Sequence, residues 1–188
     1  MNKIKGLIFD LDGVLVNTKK IHFDALNLAL KKVNAKEISF KDHLNIFDGL
    51  PTNKKLSILN DKKILNKKFN SKVIKIKQEY TLKLLNKFIK FNPKIYNTFL
   101  KLSKNYKISL ATNAVGKTLD LCVKKLRINK FISYSYSNED VSRNKPHPQV
   151  YLKCLVNMAL KPSETLIFED SHHGVMAAQD SGCLLYQD

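Results

Sequence analysis

Residues 7–14 of the chain read Leu7-Ile8-Phe9-Asp10-Leu11-Asp12-Gly13-Val14. An apolar run leads directly into two carboxylates spaced two positions apart, and a glycine follows them. If the run is a strand, its period of two sends Asp10 and Asp12 to the same side, where their charges repel unless a cation or a proton compensates them. This stretch therefore predicts a buried strand that ends in a chemically active turn.

The composition limits the classes of partner. The 188 residues suit one domain, or a core with one sizeable insertion, and an apolar content of 44% suffices for a buried core. Lysine and arginine outnumber aspartate and glutamate by 33 to 16, yet the only arginines are Arg127 and Arg143. Because arginine is preferred for bidentate contacts with bases and phosphates, we expect a generally solvated lysine surface and no specific nucleic-acid partner.

The cysteines and the apolar runs indicate the cellular compartment of the protein. Cys122, Cys154 and Cys183 are odd in number and far apart, so they form neither a metal-ligand spacing nor a disulfide framework. The first predicted strand follows Met1 too closely to leave room for a signal peptide, and no apolar run is long enough to span a bilayer. We therefore expect a cytoplasmic protein without a membrane partner. The sequence does not specify an oligomeric state.

Two patterns of secondary structure divide the chain. Between residues 18 and 91 apolar residues recur at helical spacing, as at Ile21, Ala25 and Leu28, and nothing there is typical of a strand. Elsewhere strands and helices alternate, with strands predicted at 4–9, 107–111, 131–134, 165–168 and 183–186, and helices at 93–103, 118–126, 148–160 and 175–181. This alternation predicts an α/β fold, a doubly wound parallel sheet with an all-helical insertion.

Polar residues follow four of the predicted strands. They are Asp10 with Asp12, Thr112 with Asn113, Lys145 in the loop after the short strand, and Glu169 with Asp170. In open parallel sheets, ligands bind beyond the carboxyl ends of the strands. Carboxylate oxygens at a few positions favour Mg²⁺, and a nucleophile, a hydroxyl, a lysine and a metal together suit phosphoryl transfer, whose barrier falls mainly through positioning and charge neutralisation.

Four motifs resemble those of the haloacid dehalogenase superfamily, in the branch with a helical cap inserted after the first strand. They are Phe9-Asp10-Leu11-Asp12-Gly13-Val14, Ala111-Thr112-Asn113-Ala114, Lys145-Pro146-His147-Pro148 and Phe168-Glu169-Asp170-Ser171. Four motifs in order are far more specific than one, and the resemblance covers essentially the whole chain. It implies a Rossmann-like catalytic core, residues 1–16 and 92–188, and a helical cap domain, residues 17–91.

The resemblance also implies catalytic roles. Asp10 would be the nucleophile that forms an aspartyl-phosphate. Asp12 would be the general acid that protonates the leaving oxygen, and then the base that activates water. Thr112 and the backbone of Asn113 would hold phosphate oxygens, and Lys145 would neutralise charge on the nucleophile and the phosphoryl group.

The implied metal site binds Mg²⁺ through residues of the first and fourth motifs. Asp10 and the carbonyl of Asp12 would be ligands, and Asp170 would complete the shell. Glu169 would either assist Asp170 or orient Lys145. Relatives of this branch usually continue past the last predicted strand with another loop and helix, so the sequence is either naturally short or a fragment. A missing terminal helix would leave an apolar sheet face uncovered.

Asp12 favours phosphate-ester chemistry, because the dehalogenases proper and the phosphonate hydrolases lack an acid at that position. The most similar subgroup contains the β-phosphoglucomutases and the small sugar-phosphate or phosphoglycolate phosphatases. Thr18 and His22 match the mutase's hinge threonine and cap histidine, and Lys77 matches a cap lysine that contributes to substrate binding. The arginine with which the mutase holds the distal phosphate is absent from residues 49–54.

We therefore predict a Mg²⁺-dependent phosphohydrolase for a small anionic phosphoester, a sugar phosphate or similar metabolite. Asn113, His22, Lys77, Thr52 and Lys54 are the predicted substrate-binding residues, the last two as specificity residues of the cap loop. A β-phosphoglucomutase-like phosphomutase is the first alternative, and a non-catalytic basic binding module is the second.

Overall fold

The computed structural model describes residues 3–187, and the chain divides into two units. One unit comprises the chain up to Asn17 together with the chain from Ile89 onward, and it is called the core below. The other unit, the cap, comprises Thr18–Phe88. Within residues 3–187, every helix falls short of the length and apolar character that a bilayer crossing requires.

A five-stranded, all-parallel sheet forms the centre of the core, in the order β3-β2-β1-β4-β5. The strands are β1 Gly6–Phe9, β2 Lys107–Ala111, β3 Tyr134–Tyr136, β4 Thr165–Glu169 and β5 Leu184–Gln187. In the central strand, Gly6 lies opposite Lys107 of β2 and Thr165 of β4. The prediction of a parallel α/β sheet is confirmed, and the carboxyl ends of all five strands meet at one edge.

The cap is helical, as the spacing of its apolar residues predicts, and its described residues contain no strand. Its helices are α1 Lys19–Lys31, α2 Phe40–Asp42, α3 Thr52–Asp61 and α4 Asn70–Phe88, with a π-helical turn His43–Phe47 and a 3₁₀ turn Lys67–Phe69. Leu26, Leu30, Leu59 and Val73 are among the residues of its buried core. The cap therefore has an apolar core of its own.

The helices of the core are α5 Pro93–Leu102, α6 Gly116–Leu126, α7 Gln149–Met158 and α8 His172–Asp180. Helix α7 ends two residues earlier than predicted, because Ala159 adopts a left-handed φ of +53°. Helix α8 begins three residues earlier than predicted, because the Ser171 hydroxyl accepts the N–H of Gly174 at 3.1 Å and caps it.

The predicted short edge strand is present, but it lies later in the chain than the predicted bounds of 131–134 and shares only Tyr134 with them. Residues Asn129–Phe131 form a 3₁₀ turn, and β3 begins at Tyr134, where pairing with Ser109 of β2 starts. This edge strand is largely exposed, so it lacks the continuous apolar run that marks the central strands.

The two faces of the sheet are covered differently. On one face, Ile8 and Ile167 pack against Tyr151 of α7 and Ala177 of α8. On the other, an aromatic row runs from Phe99 of α5 across Phe9 and Phe168 to Tyr186, with ring centroids 5.0, 4.4 and 5.5 Å apart. A cavity of about 310 Å³ lies along this row, and Tyr186 is half exposed.

Candidate active site

Asp10 follows β1 directly and stays within the hydrogen-bonding pattern of the sheet. Its N–H donates to the Phe168 carbonyl of β4 at 3.0 Å, and its side chain is buried. This bond holds the carboxylate at the carboxyl end of the central strand. The position is the one at which parallel sheets bind ligands.

A tight turn carries Asp12 away from the strand. The N–H of Val16 donates to the Leu11 carbonyl at 3.1 Å, and the N–H of Gly13 donates to the Val16 carbonyl at 2.8 Å. Gly13 has a φ of +92°, which favours glycine. Because β1 ends at Phe9, Asp10 and Asp12 both lie beyond the strand, in the turn that follows it.

Lys145 connects three strand ends through its ammonium group. Its Nζ donates to Asp10 Oδ1 at 2.6 Å, to Glu169 Oε2 at 2.7 Å and to the Ala111 carbonyl at 2.9 Å. Since an ammonium has three N–H groups, these bonds use all of them. The Asn113 side chain holds the Lys145 backbone, accepting its N–H at 3.1 Å and donating to its carbonyl at 3.2 Å. The lysine is therefore fixed at both ends.

Glu169 ends β4 and accepts hydrogen bonds on both oxygens. Besides Lys145, the Tyr151 hydroxyl donates to Oε2 at 2.6 Å. The Ser171 hydroxyl and N–H and the Asp170 N–H donate to Oε1, at 2.9, 3.1 and 3.2 Å. The Tyr151 ring also lies 4.8 Å from the ammonium of Lys145. Sequence reasoning did not single out Tyr151, and the one available signal was a tyrosine in the first turn after the Lys145 loop.

These groups shift one another's pKa. Burial acts to lower the pKa of Lys145, but the Asp10 and Glu169 carboxylates outweigh it and hold that pKa well above its ordinary value. Burial acts to raise the pKa of Glu169, but Lys145 and the hydrogen bonds lower it, so this carboxylate is ionised. For Asp10, burial and the Glu169 charge raise the pKa against the effect of Lys145. One lysine therefore does not neutralise this cluster of carboxylates.

Three carboxylates lie close enough to hold a metal ion. Ligand oxygens of Asp10, Glu169 and Asp170 lie within 4.8 Å of one another. A Cβ on Gly13 would collide with the Asp170 carboxylate, and one on Gly174 would collide with Glu169, so both glycines permit these close approaches. Clustered oxygen donors with surplus negative charge fit a hard divalent cation. Of the four predicted ligands, only the Asp12 side chain lies outside this group of described carboxylates.

Thr112 lies at the same edge, after β2. Its N–H donates to the Tyr136 carbonyl of β3 at 3.0 Å, and its hydroxyl accepts the N–H of Ala114 at 3.0 Å. The residue is buried. The carboxyl ends of β1, β2 and β4 thus bring the predicted catalytic residues of the core together.

A profile of the family described as haloacid dehalogenase-like hydrolase matches residues 7–186. The chain belongs to this family. The predicted superfamily and the prediction of an enzyme are thereby confirmed.

Proteins similar to this hydrolase are named for different activities. Pyrophosphatase PpaX of Bacillus mycoides (strain KBAB4) is 26% identical over 181 residues, which are 96% of this chain and 81% of that protein. A β-phosphoglucomutase from Clostridium difficile is 23% identical, with a TM-score of 0.83, over 97% of this chain and 83% of the other. A predicted phosphoglycolate phosphatase from Haemophilus somnus 129pt is 22% identical, with a TM-score of 0.83, over 100% of this chain and 88% of the other. The two structural likenesses show the fold.

The predicted cap residues of this hydrolase lie on three cap helices. His22 is in the first turn of α1 and is half-buried. Thr52 begins α3, where Lys54 is exposed and its neighbour Lys55 is buried. Lys77 is buried on α4. Sequence reasoning did not select Lys55, yet Lys55 is buried, as expected for a lysine with a fixed side chain. The predicted Lys54 is a surface residue.

Proposed function

We propose that this hydrolase is a Mg²⁺-dependent phosphatase that acts on a small anionic phosphoester, a sugar phosphate or similar metabolite, through an aspartyl-phosphate on Asp10. One observation carries the proposal. Asp10 is buried at the end of the central strand, and Lys145 holds its Oδ1 at 2.6 Å beside two further carboxylates. A buried carboxylate aligned by a buried lysine suits a nucleophile for phosphoryl groups.

In the first step, Asp10 attacks phosphorus and the bond from phosphorus to the ester oxygen breaks. Lys145 occupies Oδ1, so Oδ2 is the attacking oxygen. Asp12 donates its proton to the leaving alcohol oxygen, which prevents a costly alkoxide. Thr112 and the Asn113 backbone bind the oxygens of the phosphoryl group during the transfer.

In the second step, water attacks the phosphorus of the aspartyl-phosphate. Asp12, now ionised, takes a proton from the water, and the bond from phosphorus to Asp10 breaks to release inorganic phosphate. Lys145 stabilises the returning carboxylate charge. The enzyme ends with Asp10 ionised and Asp12 protonated, as it began.

The side chains of Asp10 and Asp170 and the Asp12 carbonyl would hold the Mg²⁺. When bound, Mg²⁺ neutralises negative charge on the phosphoryl oxygens and the carboxylates. The oxygens of Glu169 already accept bonds from Lys145, Tyr151 and Ser171. Glu169 is therefore better suited to orient Lys145 than to bind the ion.

The choice between phosphatase and phosphomutase depends on the cap. A mutase must hold a second phosphate while the intermediate turns over, and a bidentate arginine fork suits that task. Residues 49–54 contain no arginine, and Lys54 is exposed. These observations favour the phosphatase. The hydrolase family of the chain argues against the non-catalytic binding module.

A phosphate-release assay over a panel of phosphoesters, with Mg²⁺ or with EDTA, tests the proposal. The panel includes phosphoglycolate and sugar phosphates, with pyrophosphate as an anhydride for comparison. A parallel reaction with β-glucose 1-phosphate and a bisphosphate activator detects mutase activity. We expect Mg²⁺-dependent release that Asp10→Asn abolishes and that Asp120→Asn, a change at an exposed aspartate of α6, leaves intact. Isomerisation without net release would support the mutase instead, and neither activity on any substrate would refute the enzymatic proposal.

A further inference from the structure

A second cleft lies at the amino-terminal edge of the sheet, opposite the candidate active site. It has a volume of about 660 Å³ and is lined by residues that precede or begin three strands, together with the loop after α5. Four of its eleven lining residues are lysines, namely Lys5, Lys104, Lys107 and Lys130, although lysine makes up only 31 of the 188 residues. The cleft therefore concentrates the positive charge of the chain.

The strand pairing brings the backbones of these residues together at one edge of the sheet. The N–H of Lys107, at the start of β2, donates to the Lys5 carbonyl at 2.9 Å, and the N–H of Ser133, before β3, donates to the Ile108 carbonyl at 2.8 Å. Neighbouring strands lie about 4.8 Å apart. Lys5, Lys107 and the segment from Lys130 to Ser133 thus form a short row across three strand starts.

Most of this charge is not neutralised by protein groups. Lys5 forms an ion pair with Glu164 at 2.6 Å, and Lys107 donates to the Met158 carbonyl at 2.7 Å. Lys104 and Lys130 are exposed and form no ion pair within residues 3–187. None of the described residues that line the cleft is acidic. An anion in the cleft would compete with Glu164 for Lys5 and would meet the ammonium groups of Lys104 and Lys130 without a paired carboxylate.

We propose that this cleft binds an oligophosphate chain, either free or as part of a nucleotide. Several adjacent lysines suit a ligand with several negative charges, because each ammonium acts as a point charge with three donors. Ser103, Asn105 and Ser133 can add neutral hydrogen bonds, and the ring of Tyr106 offers a surface for a nucleotide base. The Phe131 ring already packs against the Lys130 ammonium at 5.2 Å and the Tyr96 ring at 5.3 Å. The volume is within the range of small-molecule sites.

The experiment compares two double variants that remove equal charge. Lys104→Gln/Lys130→Gln changes the cleft, and Lys72→Gln/Lys75→Gln changes exposed lysines on α4 of the cap. Tripolyphosphate and ATP are titrated calorimetrically into each protein in EDTA, where metal-dependent turnover is absent. We expect roughly tenfold weaker binding of both ligands to the cleft variant and wild-type binding to the cap variant, because only the former loses charge-assisted contacts. Lys104→Arg/Lys130→Arg should retain binding, and circular dichroism checks the fold.

The pattern of losses decides the result. Equal affinity for tripolyphosphate and ATP would show that the cleft recognises the phosphate chain. Tighter binding of ATP would show that the aromatic lining also contributes. Both outcomes support the proposed cleft site. Equal losses of affinity in the two glutamine variants would overturn the proposal in favour of a diffuse lysine surface. The absence of binding to the wild type would also overturn it. Oligo-dT is titrated as a further ligand. If oligo-dT binding requires Lys104 and Lys130, while tripolyphosphate binds the cleft variant as it binds the wild type, the proposal is overturned in favour of nucleic acid. Phosphoester turnover should not change in the cleft variant, so this test is separate from that of the phosphatase.

Discussion

Tyr151→Phe isolates one buried hydrogen bond of the candidate active site. The tyrosine is fully buried, and its hydroxyl donates to Glu169 Oε2 at 2.6 Å. Burial raises the pKa of Tyr151 well above its ordinary value, so the hydroxyl stays protonated and remains a donor. The substitution removes a single oxygen atom and leaves the ring against Lys145, so the loss of this bond dominates its effect.

The expected loss of stability follows from the charge on the acceptor. Hydrogen bonds to charged groups contribute about 1.5–3 kcal/mol, compared with about 1 kcal/mol for neutral pairs. Glu169 keeps its bonds from Lys145 and Ser171, so the lower half of that range applies, and we expect a loss of about 2 kcal/mol. For a chain of this length, that lowers Tm by about 4–8 °C.

Urea denaturation followed by circular dichroism measures this loss, since the chain has no tryptophan to report unfolding. Tyr134→Phe is the matched control, because Tyr134 is partly exposed on the edge strand β3. In the phosphatase assay, Tyr151→Phe should lower kcat several-fold with little change in KM, because Glu169 then orients Lys145 less well. A loss below about 0.5 kcal/mol, or one equal to that of the control, would refute the reasoning.

Three further results are expected. Gly13→Ala should abolish activity and cost more than about 1–2 kcal/mol by urea denaturation, because the new Cβ sits at a φ of +92° and collides with the Asp170 carboxylate. Gly116→Ala should not, because Gly116 is outside the left-handed region and its new Cβ would meet only the end of the Glu139 side chain, at 3.1 Å. Burial and neighbouring positive charge lower the pKa of His43 from 6.5 to about 4. The unfolded chain therefore binds the extra proton as the pH falls from 6.5 towards 4, and the free energy of unfolding should fall across that window, by at most about 3 kcal/mol. His43→Gln should reduce this slope, and an unchanged slope would contradict the assignment. Saturating Mg²⁺ should stabilise the wild type, by about 2.7 kcal/mol at a hundredfold excess over Kd. The increase in Tm on adding Mg²⁺ measures this effect. Asp170→Asn should lose the increase and Asp120→Asn should keep it, and equal increases in both variants would contradict the metal site.

The central strands were predictable because both of their faces are buried. The strand Lys107–Ala111 reads as an apolar run between polar turns, and its bounds match the prediction. Edge strand β3 is half exposed and has no such run, so its position was not predictable from hydrophobicity. The end of α7 depends on a left-handed Ala159, a backbone feature without a strong residue signal. The start of α8 depends on the Ser171 side-chain cap, and serine is a preferred N-cap residue.

The strand-end residues of the candidate site were predictable from one geometric rule, that parallel strands carry polar groups to the same edge. Tyr151 escaped prediction because its contact with Glu169 depends on how α7 packs against the sheet. The contact joins residues that are 18 positions apart in sequence. The contrast between buried Lys55 and exposed Lys54 also escaped prediction, since it depends on which side of α3 faces the other cap helices. Helix packing thus determines the part of the site that residue types alone do not indicate.

The hydrogen bonds of Glu169 bear on the alternative that the sequence left open, metal ligand or partner of Lys145. A carboxylate that already accepts five donors has little capacity left for a cation, and displacing Lys145 or Tyr151 would leave a buried donor unsatisfied. Lys145 in turn divides its charge between Glu169 and Asp10. The negative charge that it does not compensate therefore remains on Asp10 and Asp170, which supports the proposal that these two side chains would hold the Mg²⁺ and that Glu169 acts through the lysine.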